Sequence, residues 1–296
     1  MPSPEFQLIM QRLAKVGPAY MDAIYVKRDI SLARQLMKEI ASGDPLAKGV
    51  AVIPVNAAGV TCEWLVPEGA IDGRRLAWLH GGSYLAGDLE MFRPMISHLA
   101  KAAGIAVLNV DYALAPEHTL HDARADAVAA FSWMIANGPD GPGIADRAFL
   151  GGDSAGGSLS ISAAQEMLRT GMRSPDAIVS LGGAVDLADL SGIPPEAIAY
   201  INYVVALFLQ DLEVTDPLAS PINGPLAGLP PMLLQVSAVE PALESNVHFH
   251  EHARAAGVAA DISIWPDMPH DWGLFAGQLP EADAALAEVG AYLRAR

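Results

Sequence analysis

Short apolar runs alternate along this chain with longer stretches of helical period. Runs bounded by turn residues occur at 50–55, 60–66, 76–79, 105–110, 148–151, 178–181, 232–239 and 261–265, and their length and aliphatic content predict strands. Helical periodicity fills the intervals at 94–103, 122–137, 158–170, 245–256 and 281–295. Strands alternating with helices predict an α/β fold, with a mainly parallel eight-stranded sheet flanked by helices on both faces. Residues 139–143 form a Pro/Gly turn cluster too short for a domain linker, and no internal repeat or low-complexity stretch breaks the pattern.

Two segments stand outside this alternation. The first 45 residues carry amphipathic helical patterns at 6–16 and 31–42. Within 187–213, residues 198–209 are apolar on almost every side. A helix of that kind must be buried or must cover something apolar, and core packing or a covering element satisfies the pattern equally.

The strand at 148–151 runs into Gly152-Asp153-Ser154-Ala155-Gly156, the strand–turn–helix setting of a G-x-S-x-G nucleophile elbow. Gly152 and Gly156 give the turn room, and the N-terminus of the following helix favours negative charge developing beside Ser154. Upstream, the strand at 76–79 ends in His80-Gly81-Gly82-Ser83-Tyr84. Acyl-transfer chemistry needs preorganised N–H donors for an oxyanion, and the amides of Gly81, Gly82 and Ala155 are candidates. A general base must titrate near neutrality on a loop that reaches the serine. His270 satisfies this, in the proline-bounded loop Pro266-Asp267-Met268-Pro269-His270. A carboxylate to orient it stands at the end of the strand 232–239: Glu240, with Glu244 a rival one helical turn later. A solvated acid opening a helix would look the same.

Composition narrows the class. Across 296 residues, 52% are hydrophobic and 18% charged, which opposes disorder and allows a large core. A net charge of −16 argues against nucleic acid and anionic membrane surfaces as partners. The single cysteine, Cys62, cannot form an internal disulfide, suiting a reducing cytoplasm, and its place in the strand 60–66 marks it as a buried residue and not a nucleophile. The N-terminal residues lack a secretory pattern, and no uncharged apolar run reaches 18 residues, so membrane insertion is not expected. His248 and His252 share a helix face at i and i+4 spacing, but with no third ligand nearby they read as a solvated face, and no metal or organic cofactor is expected. Asp153 reads as a brace for the elbow, and Glu117 and Asp126 as structural.

Taken together, these blocks resemble the bacterial hormone-sensitive-lipase-like esterases, a branch of the α/β-hydrolases. The likeness spans about residues 76–275 and also rests on Val110-Asp111-Tyr112-Ala113-Leu114-Ala115-Pro116-Glu117, Asp216-Pro217-Leu218-Ala219-Ser220-Pro221, Leu229-Pro230-Pro231 and Met268-Pro269-His270. It implies an α/β-hydrolase fold with a helical cap. Cap helices would occupy 1–45 and an insertion at 187–215, with the core in two parts, 46–186 and 216–296. It also implies Ser154 as nucleophile, His270 as base, Glu240 as acid, and Gly81, Gly82 and Ala155 around the oxyanion. A cap implies an apolar substrate pocket drawn from Tyr84, Met21, Tyr25, Tyr203 and Phe208. Three positions depart from the pattern: Ser83 replaces the third glycine of H-G-G-G, Ala113 the usual arginine, and Val239 a common aspartate. The expected reaction is hydrolysis of short-to-medium-chain carboxylic esters through an acyl-enzyme. A lactone hydrolase or amidase with the same triad, or a non-catalytic receptor on the same scaffold, stays open. A homodimer is also open, through pairing of the strand 261–265 at the sheet edge.

Overall fold

The computed structural model describes residues 2–40 and 44–296. Its central sheet has eight strands: β1 (Val50–Ala57), β2 (Val60–Pro67), β3 (Arg74–Leu79), β4 (Ala106–Val110), β7 (Arg147–Asp153), β8 (Ala177–Leu181), β9 (Met232–Ser237) and β10 (Ala260–Trp265). Between β4 and β7 lies a small two-stranded ribbon, β5 (Asn137–Gly138) and β6 (Gly141–Pro142), which the sequence pattern shows only as a turn cluster. The order across the sheet is β1-β2-β4-β3-β7-β8-β9-β10. β2 pairs antiparallel with both β1 and β4, and every later pairing is parallel. The predicted α/β class and mainly parallel sheet thus match the fold.

The central strands are buried on both faces because helices cover both. α3 (Leu89–Ala103) and α8 (Pro280–Arg294) pack together over one apolar layer that includes Trp78, Phe92, Phe149 and Leu286. α4 (Leu120–Ala136) and α5 (Ala155–Thr170) close the other, over Leu79, Leu108, Phe131 and Leu150. α7 (Leu243–Ala255) covers β9 and β10. Glu288 of α8 accepts hydrogen bonds from Gln235, Ser263 and Trp265, which fixes the last two strands to that helix.

Several boundaries move for local reasons. α3 begins at Leu89 and not at residue 94, because the Asp88 side chain caps it by accepting from the Met91 amide at 2.9 Å. α4 begins at Leu120 behind a reciprocal capping box between Thr119 and Asp122. α5 begins at Ala155, directly after the serine. Gly156 and Gly157, which resemble turn residues in the sequence, are helical here.

The N-terminal pattern becomes α1 (Pro4–Met21), a π-helical turn at Asp22–Val26, and α2 (Ile30–Ile40). Residues 41 and 42 of the expected second helix lie outside the described residues. α6 (Pro195–Leu209) is the all-round apolar helix, and it meets the π-turn where Tyr25 packs edge-on against Tyr200 and Tyr203. Arg34 of α2 reaches the body of the protein, donating to the carbonyls of Leu85 and Ala115 and pairing with Glu117. Among the described residues, no helix is long and apolar enough to cross a membrane.

Candidate active site

Four loops at the carboxyl ends of parallel strands converge, the usual place for a site in an open α/β sheet. β7 delivers Ser154 with φ 49° and ψ −120°, a conformation that L-residues adopt only under constraint. The constraint is close packing. A Cβ on Gly156 would lie 1.9 Å from the Leu79 carbonyl oxygen, and one on Gly152 would lie 2.4 Å from that oxygen and from the Gly156 carbonyl carbon. The Ser154 amide donates to the Leu181 carbonyl at 2.7 Å, pinning the turn to β8.

The Ser154 hydroxyl stands 2.8 Å from Nε2 of His270. Nδ1 of His270 makes a short contact with Oε2 of Glu240. Oε1 of Glu240 accepts the Ser237 amide at 2.6 Å, and the carboxylate is only 1% exposed. The Ser237 hydroxyl donates to the Met268 carbonyl, tying the end of β9 to the loop that carries His270. Glu244 stands exposed in the first turn of α7, so the structure brings Glu240, and not its rival, to the imidazole. Desolvation lowers the proton affinity of His270, but Asp271, Glu240 and Asp153 outweigh it and hold the imidazole above its ordinary value.

Asp153 is buried and accepts from Trp78 Nε1 and from the Gly81 amide, both at 2.9 Å. It therefore joins the elbow to the β3 loop. Burial, reinforced by Asp271, raises its pKa well above the ordinary range against the pull of these two donors. His80 is sealed between the rings of Phe92 and Tyr112. Desolvation lowers it to about 4, so it is neutral, and its Nδ1 donates to the Gly81 carbonyl at 2.8 Å. It shapes the loop and does not face the serine's cavity.

That bonding corrects one expectation. The Gly81 amide points at Asp153 and is engaged there, so it is not a free oxyanion donor. The chain turns over at Gly82 (φ 119°) and Ser83 (φ 55°), and a Cβ on Gly82 would lie 2.2 Å from the Ala86 carbonyl oxygen. Among the described residues, the amides of Gly82, Ser83 and Ala155 have no hydrogen-bond acceptor. The Ser83 amide joins the candidates in place of that of Gly81, since a donor needs only an N–H and not a glycine.

A cavity of about 360 Å³ lies over Ser154. Tyr84 and Phe208 line it as expected, their rings 5.0 Å apart. Ile201, Val204 and Val205 join them, completing one face of α6 at i, i+3, i+4 and i+7. Tyr203 lies off that face, against Tyr25 and the Arg28 guanidinium. Met21 and Tyr25 are 44% and 43% exposed on the outside. Met21, Tyr25 and Tyr203 are therefore not pocket residues: helical phase turns Tyr203 away, and the π-turn lies beyond α6 from the serine. Asp186 and Asp189 also line the cavity, unannounced by any motif. His248 and His252 are exposed on α7, and no group of three or more metal-binding side chains occurs among the described residues.

A profile described as the alpha/beta hydrolase fold matches residues 76–274. An acetyl-hydrolase of Streptomyces hygroscopicus is 36% identical, over 81% of this chain and 81% of its own. An ethyl acetate hydrolase of Pseudomonas putida is 30% identical, over 74% of this chain and 72% of its own. The crystal structure of an esterase from the bacterial hormone-sensitive lipase family superposes with a TM-score of 0.87 at 34% identity, covering 99% of this chain and 98% of that one.

Proposed function

The chain belongs to the α/β-hydrolase fold family, in its hormone-sensitive-lipase-like esterase branch, and from that premise we propose that it hydrolyses short-to-medium-chain carboxylic esters through an acyl-enzyme on Ser154. It is a carboxylic ester hydrolase. The observation that carries the finer reading is the unbroken series of contacts from Ser154 through His270 to Glu240.

His270 takes the hydroxyl proton through Nε2 as Ser154 attacks the ester carbonyl. Glu240 holds Nδ1–H, which fixes the tautomer and stabilises the imidazolium. The amides of Gly82, Ser83 and Ala155 receive the oxyanion. The imidazolium then protonates the leaving alcohol. Water, deprotonated by the same imidazole, attacks the acyl-serine and releases the acid. No step requires a metal or an organic cofactor.

The helices at the N-terminus and α6 act as the cap, and the apolar face of α6 receives the acyl chain or the alcohol. A cavity of about 360 Å³ lies at the lower end of small-molecule sites, which supports short and medium chains over long ones. The compartment we assign is the cytoplasm, where the buried Cys62 thiol, its pKa pushed up to about 12 by desolvation, stays inert. A p-nitrophenyl ester series from acetate to palmitate tests the reading. Turnover of the short members that disappears in folded Ser154→Ala is the expected result. Absence of turnover at every chain length overturns it.

A further inference from the structure

We propose that Asp271 is a second carboxylate on the imidazole, placed to hold the proton on Nε2 of His270 and so to move the acid limb of turnover to higher pH. The inference rests on His270 being the base.

Asp271 follows His270 with φ 54° and ψ 37°, the left-handed conformation that aspartate tolerates better than most residues. This turn brings its side chain back to the imidazole. Its Oδ2 lies 3.5 Å from Nε2, the same nitrogen that faces the Ser154 hydroxyl at 2.8 Å. The side chain is only 11% exposed, and Oδ1 is buried without a hydrogen-bond partner.

Among the described residues, the imidazole is the cationic partner within 4 Å of this carboxylate. Asp271 and Asp153 line one small cavity, and its other walls, which include Gln235, Met95, Leu181 and Trp272, carry no lysine or arginine. Both oxygens of Asp153 are taken by Trp78 and Gly81, and the Gln235 amide donates to Glu288 and to the Ala285 carbonyl. Thus two carboxylates contact His270, Glu240 from the turn after β9 and Asp271 from its own loop, while Asp153 at the end of β7 acts on it only through its field. Glu240 addresses Nδ1, where a proton aids catalysis. Asp271 addresses Nε2, where a resident proton blocks catalysis, because a protonated Nε2 cannot accept the serine's. Burial raises Asp271 to about 6, with His270 pulling down and Glu240 pushing up. Above that pH its charge is present to hold the imidazolium.

The test compares wild type with Asp271→Asn, which keeps the shape, and with Asp271→Gly, which keeps the left-handed turn. Initial rates on p-nitrophenyl acetate give kcat/KM against pH, which reports the base in the free enzyme. Loss of an adjacent opposite charge shifts a pKa by about 1 unit or more, so the acid limb moves to lower pH in both variants. At a fixed pH below both limbs, the variants are then about tenfold faster than wild type. Nuclear magnetic resonance titration of the imidazole, assigned by its loss in His270→Gln, reads the same shift without turnover. An inactive wild type therefore refutes the esterase mechanism, while the titration still decides the role of Asp271. An imidazole that titrates at the same pH in wild type and both variants overturns the inference, as does an unmoved acid limb.

Discussion

Replacing Glu240 by glutamine removes a charge while leaving the shape of the site intact. The Ser237 amide donates to Oε1 at 2.6 Å, and the glutamine carbonyl can keep that bond. The new NH2 group then faces Nδ1 of His270, where Oε2 had been. An amide nitrogen only donates, so Nδ1 must become the acceptor and the ring proton moves to Nε2. Nε2–H then points at the Ser154 hydroxyl and the base is lost. The same tautomer reversal in a serine triad costs about 10⁴ in kcat. That corresponds to about 5.5 kcal/mol of transition-state stabilisation. KM should change little, because Pro241 and Ala242 line the cavity but Glu240 does not. The assay is steady-state hydrolysis of p-nitrophenyl butyrate, with circular dichroism to verify the fold. Glu244→Gln is the control, since that side chain is exposed and its loss should leave both kcat and KM in place. A kcat for Glu240→Gln within tenfold of wild type, or a large loss in Glu244→Gln instead, refutes the reasoning.

Other consequences follow from the same geometry. Trp78→Phe deletes one of two donors to the buried Asp153, and should lower stability in urea unfolding by about 1–3 kcal/mol; an unchanged midpoint would contradict the brace. Phe208→Ala opens the wall beside Tyr84, shifting acyl preference to longer p-nitrophenyl esters while costing about 3–5 kcal/mol of stability; an unchanged chain-length profile would remove Phe208 from the acyl site. The base works only when neutral and its carboxylate neighbours raise its pKa, so kcat/KM should fall as pH drops through a limb lying above the ordinary histidine value of about 6.5. A limb below that value would contradict the electrostatics.

The meeting of the candidate site residues was legible where it depended on residue type and on strand ends. Ser154, Glu240 and His270 each follow a strand whose apolar run is plain in the sequence, so their meeting follows from parallel strands sharing one end. What escaped depended on backbone direction and helical phase. Gly81 and Gly82 look interchangeable in sequence, yet one amide faces Asp153 and the other does not, because the chain reverses at Gly82 and Ser83. The apolar run at 198–209 mixes pocket residues with a larger number that do not line the cavity, and composition does not tell them apart. Only the rotation of α6 separates Val204 and Phe208 from Tyr203. The start of α5 was missed because glycine ordinarily opposes helix, while close approach to β3 at Gly156 admits nothing else. Asp271 was visible beside His270, but its contact with Nε2 comes from a left-handed turn that no composition announces.

The most direct test of the account is to trap the covalent intermediate. Wild type mixed with a short-chain p-nitrophenyl ester and quenched in acid within a turnover should carry one acyl group, located by peptide mass spectrometry on Ser154. Ser154→Ala should show neither the adduct nor turnover. Steady hydrolysis without any acyl adduct on Ser154, together with activity retained in Ser154→Ala, would contradict it.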